Sequence, residues 1–158
     1  MACNAGPDII EDGLVLCLDA GNNNSYPKSG TVWTDLAGTN NGTLTNEPTF
    51  DAGNGGGIVF DGSNEYIDCG TSPLYTNSLA EFSVSTWSYI TVSNFNGTLK
   101  VICADAIDPT LGGFWVGYDD RGGTHSPLEG IAWNTKNTGG YSRGKTANNI
   151  ISSDGWFN

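Results

Sequence analysis

The chain has 158 residues and a formal net charge of -11, with six Lys and Arg against 17 Asp and Glu. That length fits one domain with a real core, and the singly scattered basic residues form no cluster able to neutralise phosphates, which argues against a nucleic-acid partner. No apolar run approaches the roughly 20 residues of a membrane-spanning helix, and the start Met1 to Asp8 carries neither the basic nor the apolar region of a secretory signal.

Glycines (23), prolines (six) and many asparagines cut the sequence into short apolar segments without helical period, the pattern of a many-stranded β protein. Leu14, Leu16 and Leu18 alternate with Val15, Cys17 and Asp19, predicting a first strand buried on both faces near its middle and ended by an Asn- and Gly-rich turn. Next come short strands in Thr31 to Leu36 and Gly42 to Thr45, with Trp33 expected to cap the core and to place its indole N–H on a loop carbonyl. The run Gly57 to Gly70 sets two apolar segments around Asp61-Gly62-Ser63-Asn64 and reads as a β-hairpin, entered through a flexible glycine connection at Gly53 to Gly57.

Phe82, Val84 and Thr86 face one way while Ser83, Ser85, Trp87 and Tyr89 face the other, the alternation of a sandwich strand. Leu99 to Ala104, Phe114 to Tyr118 and Gly130 to Asn134 continue the series of short strands. Asn137 to Ser153 is polar and weakly patterned and reads as a long rim loop. Another strand starts at Asp154 to Asn158, so the sandwich would stop before its last strands, as a fragment does. Cys3, Cys17, Cys69 and Cys103 lack zinc-site spacing and are expected to be reduced, buried thiols, the alternative being a disulfide such as Cys17 with Cys69.

The ordered set Asp12 to Ala20, Ser25 to Leu36, Asn40 to Leu44, Ile58 to Ile67, Phe82 to Trp87, Gly113 to Gly117 and Asp154 to Trp156 resembles the concanavalin-A-like, laminin-G-like lectin domains. The start Met1-Ala2-Cys3 is closer to the branch found in structural proteins of tailed bacteriophages. The resemblance implies an all-β, two-sheet antiparallel β-sandwich of jelly-roll type, with residues 1–12 as an N-terminal arm and 13–158 as the domain. It further implies a virion component assembled in the host cytoplasm, such as a capsid decoration or tail-fibre protein. Its expected partners are other virion proteins, copies of itself and a surface glycan. The alternative is a carbohydrate-binding adhesin module at a bacterial cell surface.

Catalytic patterns are missing from the sequence. The paired carboxylates of a retaining glucanase do not occur around Glu65, Asp68, Glu81 or Glu129, and the single histidine, His125, sits in a glycine loop without a nucleophile elbow. A non-enzymatic role is therefore expected. Sugar binding needs an aromatic face beside amide or carboxylate groups, which makes Tyr118, Trp133, Asn134 and Tyr141 the candidates. Calcium takes oxygen ligands, and laminin-G-like relatives bind it in rim loops; the pair Asp119 and Asp120, after the strand Phe114 to Tyr118, is the candidate metal site, although no calcium-loop spacing is present.

Overall fold

The computed structural model describes residues 10–70, 82–94, 97–108, 112–121, 130–137 and 140–158. The protein is all-β with several antiparallel sheets. The chain divides into two compact units, Met1–Ser72 and Pro73–Asn158.

In the first unit β1 (Val32–Trp33), β2 (Gly42–Thr45) and β5 (Tyr66–Asp68) form a three-stranded sheet in that order. A second pair joins β3 (Thr49–Asp51) to β4 (Gly57–Val59). The hairpin expected across residues 61–64 is thereby corrected: β4 pairs with β3 and β5 pairs with β2, so Asp61 to Asn64 is a corner between sheets. Its backbone is held by its own side chains, with Ser63 N–H donating to Asp61 Oδ1 at 2.7 Å and Asp61 N–H donating to Glu65 Oε2. The amide of Asn46 then donates to the Asn64 carbonyl at 2.6 Å, which fastens this corner beside β2. The hairpin of this region is instead the glycine segment, where Asn54 at φ 53° and Gly55 at φ 93° let the chain reverse between β3 and β4.

Leu14 to Leu18 joins no strand ladder, contrary to the sequence reading. Its backbone is satisfied in part by a side chain: Cys17 N–H donates to Asp35 Oδ1 at 2.9 Å, while Leu36 N–H donates to the Cys17 carbonyl at 2.9 Å. Asp35 is 5% exposed and also accepts from Ala37 N–H at 3.0 Å and Asn40 N–H at 3.1 Å. Its own N–H donates to Asn41 Oδ1 at 3.0 Å. Beside this hub, fully buried Ser25 accepts from Asp19 N–H and donates to the Thr34 carbonyl at 2.6 Å. Tyr26, 2% exposed, packs its ring 6.1 Å from Trp33 and 5.8 Å from Phe50. Trp33 thus borders the core as expected, but its indole N–H is buried and finds no carbonyl among the described residues. Cys17 is disulfide-bonded, which corrects the expectation of a thiol there, whereas Cys69 and Cys103 are thiols.

In the second unit β7 (Leu99–Asp108), β8 (Gly112–Asp119), β9 (Gly130–Asn137) and β10 (Gly140–Lys145) form an antiparallel sheet in the order β10-β9-β8-β7. β10 lies inside the stretch read as a loop, and Ile151, within the same stretch, is fully buried. Gly117 is required in the central strand because a Cβ there would lie 2.5 Å from the Lys100 carbonyl oxygen. A separate pair, β6 (Ser88–Ile90) with β11 (Gly155–Phe157), completes the unit. Ile90, Tyr118 and Ile151 form its core, flanked by Val92, Ile102, Ile131 and Phe157.

Burial alone would raise the Asp35 carboxyl pKa, yet the backbone N–H groups of Cys17, Ala37, Asn40 and Gly38 together hold it below its ordinary value. A lowered folded-state pKa gives stability that is present above the unfolded-state value and is lost as pH falls through the folded one. Asp35→Ala removes the acceptor of the Cys17, Ala37 and Asn40 hydrogen bonds and is expected to cost about 3 kcal/mol in urea unfolding at neutral pH. The difference between wild type and Asp35→Ala should shrink as the medium is acidified; a difference that stays constant with pH would contradict the charged role.

Candidate functional site

The register of the four-stranded sheet decides which candidate side chains share a face, because successive residues of a strand point to opposite sides. Tyr118 pairs with Ile131, and Val116 with Trp133 and, across β9, Gly144, so Tyr118 and Trp133 lie on one face. Asn134, paired with Trp115 and Arg143, lies on the other. These candidates therefore do not converge. The side chain of Tyr141 and the loop 122–129 with His125 lie outside the described residues.

Tyr118 is 7% exposed and packs with Ile90 and Ile151, so its ring is part of the core and presents no face to a sugar. Burial pushes its hydroxyl pKa up, and a hydrogen bond with Ser88 offsets part of that rise. Trp133 is half-exposed, but its indole lies over Gly144, where a Cβ would meet the six-membered ring at 2.0 Å. One face of that indole is thus occupied by β10 backbone, a close fit only glycine permits. Asn134 is buried, and its Oδ1 has no hydrogen-bond partner among the described residues.

Asp119 and Asp120 have different environments. Asp119 is fully buried, and its two carboxylate oxygens accept from Arg121 Nε at 2.9 Å and Nη2 at 2.8 Å, with the Arg121 backbone N–H adding a third bond at 3.0 Å. A guanidinium seated two-pronged on a carboxylate occupies the lone pairs that a cation would use. Asp120 Oδ2 accepts from Gly97 N–H at 3.0 Å, and its own N–H donates to the Thr98 carbonyl at 3.1 Å. Among the described residues no group of three or more His, Cys, Asp or Glu side chains is placed to hold a metal ion.

Several other carboxylates bind backbone N–H groups. Asp19, Asp51 and Asp68 each accept the N–H two residues on, from Gly21, Gly53 and Gly70, and Asp154 accepts from Val92 N–H at 2.9 Å.

Three of the exposed aromatic rings lie on or next to the pair β6 and β11, which sequence reasoning did not single out. Trp87 is 71% exposed, Tyr89 54% and Trp156 43%. Tyr89 and Trp156 are cross-strand partners of β6 and β11, their ring centroids 5.6 Å apart at an interplanar angle of 72°. Trp87 immediately precedes β6, two residues before Tyr89. Beside them the Asn158 amide donates to the Thr86 carbonyl at 2.9 Å and Ser85 Oγ at 3.2 Å. The available signal was the i, i+2 spacing of Trp87 and Tyr89 together with the terminal tryptophan.

Removing the guanidinium in Arg121→Ala leaves a buried carboxylate uncompensated. Because Arg121 itself is 44% exposed, part of its effect is screened, and the loss is expected at about 1–3 kcal/mol in denaturant unfolding. Arg121→Lys, which keeps charge but loses the fork, should fall between the two; an Arg121→Ala protein as stable as wild type would remove the pair from any structural role. Comparison with family models, with curated proteins and with solved structures returns no match for this chain.

Proposed function

We propose that the chain is a non-enzymatic recognition module with a lectin-like, jelly-roll β-sandwich, acting as a structural component of a bacteriophage virion that contacts a surface glycan. The observation that carries the recognition part is the row of exposed rings Trp87, Tyr89 and Trp156 on β6 and β11. An exposed aromatic cluster of this size is costly to leave in water and marks a contact surface. Pyranose C–H faces stack on such rings, and their hydroxyls use nearby polar groups such as Ser85 and Asn158. The steep angle between Tyr89 and Trp156 suits a single twisted saccharide chain better than a flat polysaccharide sheet. The virion setting is supported by the ordered resemblance to phage-type laminin-G-like chains.

The alternative, an adhesin module of a bacterial surface or secreted protein, draws its support from the Cys17 disulfide. Disulfides persist in oxidising compartments and are uncommon in reducing ones.

A glycan array read with and without calcium, followed by titration of the best ligand against tryptophan fluorescence, tests the recognition reading. Trp87→Ala and Tyr89→Ala are each expected to weaken binding about tenfold, while Trp133→Ala leaves it unchanged. Absence of binding in both calcium conditions would leave a structural role alone. Immunolabelling of purified virions tests the setting, with label on particles expected and label on bacterial surfaces favouring the adhesin.

A further inference from the structure

The dipeptide Asn-Gly occurs three times, at Asn41-Gly42, Asn54-Gly55 and Asn96-Gly97. A glycine after asparagine leaves its backbone nitrogen unshielded by a side chain, so that nitrogen can reach the asparagine side-chain carbonyl carbon and close a ring on it. The fold treats the first two pairs in opposite ways, and Asn96 lies outside the described residues. Asn54 is exposed at the tip of the β3–β4 hairpin, in the left-handed region at φ 53° and ψ 29°. Among the described residues its side-chain amide makes no hydrogen bond. At that ψ the Gly55 nitrogen points away from the Asn54 side chain. Rotating the one peptide plane between the two residues brings it alongside, and Gly55, at φ 93°, takes up the change because it carries no Cβ. Even a Cβ at Gly55 would meet nothing within 4 Å. Asn41, in contrast, is held. Its Oδ1 accepts from Asp35 N–H at 3.0 Å, and Gly42 is a buried member of the β1–β2 ladder opposite Trp33. A Cβ at Gly42 would lie 2.7 Å from Ile67 Cγ2, so the backbone there is wedged against a side chain.

We infer that Asn54 is a site of spontaneous deamidation in the folded chain, and that Asn41 is spared. The Gly55 backbone nitrogen, its proton taken by a solvent base, attacks Asn54 Cγ. A C–N bond forms there, the bond to the side-chain NH2 breaks, and ammonia leaves with a proton from the medium, which closes a succinimide ring. Water then opens the ring at one of its two carbonyls. One opening gives aspartate; the other gives isoaspartate, in which the main chain runs through the former side chain. No oxidant, reductant or enzyme is needed. The product changes the turn in two ways. Asp51 already accepts Gly53 N–H at 2.9 Å, so a carboxylate at position 54 adds a second negative charge to the same turn. Isoaspartate also lengthens the main chain inside the loop closed by the Gly56 N–H bond to the Gly53 carbonyl at 2.9 Å. The inference does not rest on glycan binding.

Incubation of the folded full chain at mildly alkaline pH, with peptide mapping by mass spectrometry at intervals, tests it against a parallel sample kept unfolded in guanidinium chloride. In the folded chain Asn54 is expected to lose its amide about tenfold faster than Asn41, or more, because Asn41 reacts only after its hydrogen bond and ladder open. Isoaspartate is expected among the products at position 54. In the unfolded sample the two rates should approach each other, since the protection of Asn41 is gone. Asn54→Gln, whose longer side chain would have to close a larger ring, should stay intact at that position and leave Asn41 as slow as before. An Asn54 that outlasts Asn41 in the folded chain would overturn the inference. So would a ratio of the two rates that is the same folded and unfolded; both readouts use the wild-type chain alone.

Discussion

The first unit is built from strands of two to four residues and must satisfy much of its backbone outside ladders, and aspartate side chains take part of that role. Asp35 is the clearest case: one buried carboxylate receives N–H groups from Ala37 and Asn40 of its own loop and from Cys17, linking that loop to the segment 14–18. Without it, the Cys17 N–H would be a buried donor with no strand to receive it, at a cost of about 1–3 kcal/mol. The same device recurs on a smaller scale at Asp19, Asp51, Asp61, Asp68 and Asp119, each accepting the N–H two residues ahead.

This gives the strong negative charge a structural reading. Many carboxylates that look, in sequence, like a cation-attracting surface are committed to turns, and at Asp119 to an arginine. Glycine complements them where the fold brings chains closest. Gly117 admits the Lys100 carbonyl beside the central strand, and Gly144 receives the Trp133 indole. Charge and glycine content, which bulk composition treats as separate features, thus describe one solution for holding short strands together.

Much of the architecture was legible in residues. The strands Gly42 to Thr45, Leu99 to Ala104, Phe114 to Tyr118 and Gly130 to Asn134 were anticipated and lie within observed β2, β7, β8 and β9. Pairing was harder to read. The apolar segments around Asp61 to Asn64 look like two arms of a hairpin, but apolar alternation says nothing about which strand lies beside which. The candidate site suffered from the same limit. Tyr118, Trp133 and Asn134 are close in the sheet; their register puts the buried amide on the opposite face from the two rings, and packing separates the core ring from the ring laid on glycine.

By itself the sequence determined the all-β class, the turn-rich punctuation and the lack of local catalytic spacing, because those properties follow from residue type and short-range order. Only the tertiary structure decided that Asp119 is spent on Arg121, that Asp35 replaces a strand partner for Cys17, and that the exposed aromatic row is Trp87, Tyr89 and Trp156. Exposure and hydrogen-bond partnership depend on residues distant in the chain. A tryptophan that fills a core and one that faces water carry the same letter, and packing alone tells them apart.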